Sequence, residues 1–122
     1  MTNTASRHPI ALEVHKASRT LDITFDDDSR FTLSFELLRV YSPSAEVRGH
    51  GAGQETLQTG KRKVDILSVE PVGSYAIQPR FSDGHSTGIY AWDYLHSLGR
   101  DHDKLWADYL EKLVDAGASR DV

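Results

Sequence analysis

The sequence predicts an α+β domain: a twisted antiparallel β-sheet made of a meander plus a hairpin, a short helix after the third strand, and two C-terminal helices. Three observations carry this prediction. Leu12 and Val14, then Leu21, Ile23 and Phe25, then Phe31, Leu33 and Phe35 alternate with polar residues at the period of two that half-buried strands need. Asp83-Gly84, a strong hairpin-turn dipeptide, separates Tyr75, Ile77 and Phe81 from a returning strand over Thr87 to Tyr90. Toward the C-terminus Leu105, Trp106, Tyr109, Leu110, Leu113 and Val114 recur at helical spacing.

In chain order, Met1 to Ile10 is mostly polar, contains His8-Pro9 and reads as a flexible lead-in over 1–11. The domain proper spans 12–99, with a helical extension over 100–117 and a tail over 118–122. Turn-forming residues at 16–19 and 26–30 connect the meander. Asp26, Asp27 and Asp28 lack the alternating ligands and distal Glu of a calcium loop, so they read as a solvated turn. Ser34 is placed to cap the short helix, with Glu36 at its positive end, Leu37, Leu38 and Tyr41 as apolar contacts, and Ser42-Pro43 as its stop.

Glu46 to Lys63 is glycine-rich and polar, which predicts a long loop. Val64 and Ile66 alternate, then Leu67 and Val69 continue in the opposite phase, predicting a bulge or a strand covered on both faces, ended by Pro71 and Gly73. A two-residue turn at Asp83-Gly84 sets Ser82 opposite His85 and Arg80 opposite Thr87, leaving His85 exposed or half-exposed at the tip. Ala91 to Leu98 reads as a helix with Trp92 and Leu95 inward and Gly99 as a left-handed stop. In the last helix Asp101 or Asp103 is the cap, Asp108 pairs with Lys112, and Gly117 is the end. Its wide apolar stripe is expected to pack on the sheet, with a homo-oligomer contact as the alternative.

A chain of 122 residues can bury a single core without staples, and it has no cysteine, which excludes disulfides, thiolate metal sites and cysteine nucleophiles. A net charge of -4 disfavours nucleic acid and anionic membranes as bulk partners. The first ten residues lack the apolar core of a secretory signal and no apolar run is long enough to span a bilayer, so no membrane association and a cytoplasmic location are expected.

The stretch from Leu38 to Gly51 is richer in functional groups than a connector needs. It carries Arg39, Ser42, Ser44, Glu46, Arg48 and His50 among turn formers, and so reads as a binding loop. Lys61-Arg62-Lys63 is the one basic run; it reads as a solvated edge, with anion binding alongside Arg39 and Arg48 as the functional alternative. Gly49 to Gly53 is not fed by a strand, and Gly60-Lys61 lacks the Ser or Thr of a phosphate loop. Of six histidines none is spaced for a metal helix; His50 and His85, joined by Asp83 or Glu46, are the candidates for an iron or zinc site. No Gly-x-Ser-x-Gly elbow is present, and no catalytic residue is assigned.

By Ser42-Pro43-Ser44-Ala45-Glu46-Val47-Arg48-Gly49-His50-Gly51, Val69-Glu70-Pro71-Val72-Gly73-Ser74-Tyr75-Ala76 and the run from Phe81 to Leu95, the chain resembles the gamma-butyrobetaine hydroxylase-like N-terminal domain family over about Leu12 to Gly99. The resemblance implies a small domain of unknown function that stands alone in bacteria. It also implies a module fused to ATPases of the iron-sulfur scaffold type and placed ahead of the oxygenase domain in carnitine-biosynthesis hydroxylases. In those hydroxylases the matching loop carries three cysteines that hold a structural zinc with a later histidine. Here those positions fall on Ser42, Ser44, Val47 and His85, so the resemblance implies no such zinc, but does imply that the Ser42 loop and the His85 turn lie side by side.

Three readings follow. The first is a non-catalytic binding or adaptor domain with a protein partner, linked to iron-sulfur cluster assembly or repair, acting through exposed polar groups of the loop and of the hairpin tip at Asp83 and His85. The second is a metal-binding domain using His50 and His85. The third, a small-molecule enzyme, would need a pocket lined by Arg39, Arg48 and His85.

Overall fold

The computed structural model describes residues 8–49 and 53–121. The antiparallel strands are divided between two three-stranded sheets, one the meander and the other the hairpin with the preceding strand added at its edge, instead of sharing one sheet. The first sheet holds β1 (Pro9–His15), β2 (Thr20–Phe25) and β3 (Arg30–Ser34), and the second holds β4 (Ile66–Val72), β5 (Ala76–Phe81) and β6 (Tyr90–Ala91), each in chain order. In β2 the predicted alternation is complete: Leu21, Ile23 and Phe25 are fully buried, each stabilising the fold by about 1.5–3 kcal/mol. Its neighbour β1 lies at the sheet edge, so Val14 stays exposed while Leu12 packs against the core. β1 begins at Pro9, inside the stretch expected as a lead-in, and His8 accepts the Asp26 N–H at 2.9 Å.

The Ser34 hydroxyl accepts the Leu37 N–H at 3.0 Å and opens α1 (Phe35–Val40), as predicted. Six residues are too few for a helix to hold itself in water. All six are buried, and this is what keeps them helical. Burial includes Glu36 and Arg39, each 6% exposed, and a charge at that depth requires a partner. Arg120 donates two hydrogen bonds to Glu36 at 2.8 and 2.7 Å, and Arg39 Nε donates to Asp83 at 2.8 Å.

The Arg120 pair builds residues 118–121 into the domain, where a tail was expected. The Gly60 N–H donates to Ser119 at 3.0 Å, the Arg62 N–H donates to Arg120 at 3.1 Å, and the Arg120 guanidinium lies 5.0 Å over the Trp106 ring. After α1, a single helical turn, α2 (Ala45–Arg48), interrupts the predicted loop, and residues 53–65 carry no strand or helix.

The predicted bulge in β4 falls at Leu67: the register shifts between Ile66 and Ser68 and turns Leu67 outward, 48% exposed. β4 then runs through Pro71 to Val72, past its expected end, because an edge strand tolerates a residue without an N–H. The hairpin keeps its predicted register where β5 meets β6, with Ile77 facing Tyr90. Nearer the tip the Phe81 N–H donates to His85 at 2.9 Å, so Phe81 is four residues past Ile77 while Tyr90 is five past His85. That extra residue interrupts the ladder: β6 is two residues long, and the predicted strand pairing of Ser82 with His85 and Arg80 with Thr87 is not formed.

The chain ends in α3 (Trp92–Arg100) and α4 (His102–Asp115). Gly99 is not a left-handed stop; it lies inside α3, where a Cβ would sit 2.2 Å from the Phe31 ring, so glycine is required for the close approach of helix and sheet. Gly117, with φ of 64°, does end α4 as predicted. α4 meets the main core only through Leu105 and Trp106. Its Tyr109 and Leu113 pack with Val40 at the end of α1, with Leu57 and Ala118 beside them. Asp108 pairs with Lys104 at 2.9 Å instead of Lys112, and Asp101, at the cap position of α4, bonds Arg100 instead of the helix amides. One apolar cluster joins both sheets, α1 and α3. Among the described residues no helix is long and apolar enough to cross a membrane.

Removing Arg120 leaves the Glu36 carboxylate buried without its partner. Arg120→Ala is expected to lower the unfolding free energy by about 2–3 kcal/mol, less than a wholly enclosed pair would because Arg120 is partly exposed. The double change Glu36→Met, Arg120→Met should recover most of that loss in denaturant titrations.

Candidate functional site

The loop that follows α1 and the hairpin tip meet, as the resemblance implies, and they meet through a buried hydrogen bond. Ser42 Oγ lies 2.8 Å from His85 Nε2, and the Ser44 N–H donates to Ser42 Oγ at 3.3 Å. Glu46 Oε1, which can only accept, lies 3.5 Å from His85 Nδ1, and this favours the tautomer with its proton on Nδ1, in which Nε2 accepts from the Ser42 hydroxyl. Glu46 also accepts from the Thr87 hydroxyl. The Asp83 carboxylate receives Arg39 Nε at 2.8 Å, Lys61 Nζ at 2.6 Å and the His85 N–H at 3.1 Å.

Electrostatics follow from this packing. Burial alone would raise the Asp83 pKa, but the bonds from Lys61, the His85 amide and Arg39 outweigh it and hold the carboxyl down at about 2. For His85, burial and then the nearby Arg39 charge lower the pKa, so the neutral ring is the stable form. Tyr90, whose hydroxyl donates to the Leu38 carbonyl, has its pKa raised by burial well beyond the ordinary phenol range.

Ser42, His85 and Glu46 stand in the order of nucleophile, base and carboxylate. The hydroxyl is nonetheless closed off: Ser42 is 1% exposed, and even a Cβ on Gly88 would come within 2.4 Å of its oxygen. The hydroxyl is held between His85 and the Ser44 amide, and the trio joins the two segments as a clip. The loop and tip residues expected as exposed therefore divide. Arg39, Ser42 and His85 are buried in the clip and its ion pair, Ser44 is buried with only its N–H engaged there, and Glu46, Arg48 and Asp83 are exposed, the Asp83 side chain being 24% accessible beneath Arg39 and Lys61. His50 lies outside the described residues. The basic run also divides, with Lys61 joining Arg39 on Asp83, Arg62 pairing with Asp121 at 2.6 Å, and neither meeting Arg48.

Arg48 belongs instead to a groove of about 820 Å³ between the α1–α2 connection, residues 55–58 and the facing sides of α3 and α4. Val40, Leu57, Leu98 and Leu105 contribute its apolar surface. The Arg48 guanidinium lies 4.9 Å over the Tyr94 ring, whose hydroxyl donates to the Tyr41 carbonyl, while Tyr41 in turn donates to Leu105 at 2.6 Å. Burial, with the Asp108 charge, raises the Tyr41 pKa to about 12, so these hydroxyls remain donors.

The sequence matches the family described as gamma-butyrobetaine hydroxylase-like, N-terminal, over residues 12–96. The chain belongs to that family. Two solution NMR structures superpose with a TM-score of 0.82: one is 50% identical, covering 94% of this chain and 90% of its own, and the other is 47% identical, covering 98% and 90%. A crystal structure of a protein of unknown function from Acidithiobacillus ferrooxidans, of the DUF971 family, is 38% identical with a TM-score of 0.64, covering 75% of this chain and 92% of its own. No curated protein matches.

The zinc that the resemblance implies for cysteine-bearing hydroxylases does not fit this member of the family. Its positions here offer two neutral hydroxyls, a buried valine side chain at Val47, and a His85 nitrogen already bonded to Ser42. Among the described residues, the only three ligand-type side chains that converge are Glu13, His15 and Asp22 on the meander. There Asp22 already meets His15 at 3.2 Å, Thr32 at 2.7 Å and Arg30 at 3.7 Å, which marks a compensated cross-strand cluster. Neither Lys61 as a clip residue nor Tyr94 as the support of Arg48 was singled out from the sequence. Each acts across a separation of over 20 residues, which no local pattern encodes.

Because the folded state favours neutral His85, the unfolded chain takes up a proton first on acidification. The stabilising contribution of His85 is thus fully present above the ordinary imidazole pKa and is lost as pH falls through the lower folded value. Denaturant titrations between about pH 8 and about pH 5 should show a steeper loss of stability for the native protein than for His85→Gln.

Proposed function

We propose that this domain is a non-catalytic binding module whose recognition surface is the α2 turn with the groove beside it. The observation that carries the reading is the division of labour within one loop. Arg39, Ser42 and His85 fix its position from inside, while Arg48 stays exposed and is oriented by the Tyr94 ring. An exposed guanidinium held in place by an aromatic face loses little side-chain freedom on binding, which favours recognition. The 1% exposure of Ser42, and a groove lined by Arg48 and Ser42 but by neither Arg39 nor His85, weigh against the enzyme reading.

The partner is a protein, and a role in the cytoplasm near iron-sulfur cluster assembly or repair is supported by the resemblance to modules fused to scaffold ATPases. Affinity capture from the native host tests both parts. Arg48→Ala should keep the native melting temperature, since Arg48 is exposed, while reducing capture of the specific partners by about tenfold or more. Identical partners in identical yield from both proteins would refute the recognition surface, and partners without any cluster-assembly component would refute the cellular role.

A further inference from the structure

The charges around the groove are unequally satisfied, and this points to the class of molecule it takes. Two carboxylates line it. Asp101 is bound by Arg100 through contacts of 3.2 and 3.1 Å, and Glu55 accepts the Gly53 N–H at 3.0 Å. Two cations line it as well, Arg48 and Lys112, and among the described residues neither has a carboxylate partner. Asp108, the neighbour on α4 that could have neutralised Lys112, is taken by Lys104 instead. With Asp101 neutralised by Arg100, two unpaired cations stand against one unpaired carboxylate, Glu55, so the groove carries a small positive excess beside an apolar surface in a chain of net charge -4. The tyrosine hydroxyls around it are spent on carbonyls: Tyr94 on Tyr41, Tyr41 on Leu105, and Tyr109 on Gln58 at 2.8 Å. What remains for a ligand is apolar surface, the Arg48 and Lys112 donors, and the Glu55 and Thr56 side chains.

We propose that the groove binds a small amphipathic organic anion, its carboxylate or phosphate held by Arg48 and assisted by Lys112, and its apolar body packed on Val40, Leu57, Leu98 and Leu105. The volume of about 820 Å³ falls within the range of about 300–1,000 Å³ that small-ligand pockets occupy. Arg48 supplies the directional part, because a planar guanidinium presents paired N–H donors that match a carboxylate or phosphate edge. Lys112 adds charge without geometry. The inference rests on the binding-module reading and names a ligand for the same surface.

The test is an NMR titration of isotope-labelled protein with decanoate, decyl phosphate and decyltrimethylammonium, each below its critical micelle concentration. Decanoate and decyl phosphate should give saturable shifts at the amides of Arg48, Leu57, Leu98 and Lys112, and the cationic amphiphile should not. Arg48→Gln should weaken decanoate binding by about tenfold or more, with an unchanged melting temperature, and Lys112→Gln should weaken it by a smaller factor. Equal binding of cation and anion, unchanged affinity in Arg48→Gln, or saturation only by an acidic peptide and not by decanoate would each overturn the proposal. Loss of partner capture in Arg48→Ala without any decanoate binding would remove this inference and leave the binding-module reading standing.

Discussion

The structure depends on the burial of one short helix that carries two opposite charges. Residues 35–40 could not be helical alone, so the helix exists only where both sheets and α3 enclose it. Enclosure takes Glu36 and Arg39 out of water, and each then demands a counter-charge with good geometry. The counter-charges come from distant parts of the chain, Arg120 near its end and Asp83 at the hairpin tip. Two long-range constraints thus originate in six residues: one draws in the C-terminal segment and the other anchors the hairpin. The carbonyls left open at the C-terminal end of α1 add a third, because Tyr90 must reach Leu38 to satisfy one of them.

From that helix the chain passes directly into the candidate site, and the site inherits the rigidity. Ser42 follows α1 by two residues and meets His85 two residues from Asp83, which Arg39 holds. The clip is apportioned among neutral and charge-assisted hydrogen bonds, with Glu46 and Thr87 closing its outer side. Groups that look functional in the sequence are in large part structural: a serine, a histidine and an arginine are used to hold a turn. The same economy leaves Arg48 free to face outward, and its orientation comes from an aromatic ring on a different helix.

Local pattern was sufficient for much of the fold. The alternation of β2, the Ser34 cap, the bulge at Leu67 and the stop at Gly117 all depend on contacts within a few residues, and all were legible. The failures share a cause. Gly99 predicts a helix stop because glycine usually ends helices, whereas the Phe31 ring, from β3, excludes any side chain at that position inside α3. Lys112 was paired with Asp108 by spacing, although Lys104 lies equally near on the other side and took the carboxylate. The stripe of the last helix predicts packing on a sheet, yet Tyr109 and Leu113 settle on Val40 and Leu57, whose positions no periodicity reports, and only Leu105 and Trp106 reach the main core.

By itself the sequence determined the α+β class, the meander and the hairpin, the absence of cysteine and, through its resemblance, the family and the meeting of the Ser42 loop with the His85 turn. These follow from residue types, short periods and motifs in order along the chain. Tertiary structure alone decided which polar groups are spent and which are offered: Ser42 and His85 inward, Arg48 outward, Arg120 under the first helix, and a groove between four segments. Exposure and ion pairing are set by where distant segments come to rest. A sequence pattern fixes a side chain's face on its own element, but not the element that will cover that face.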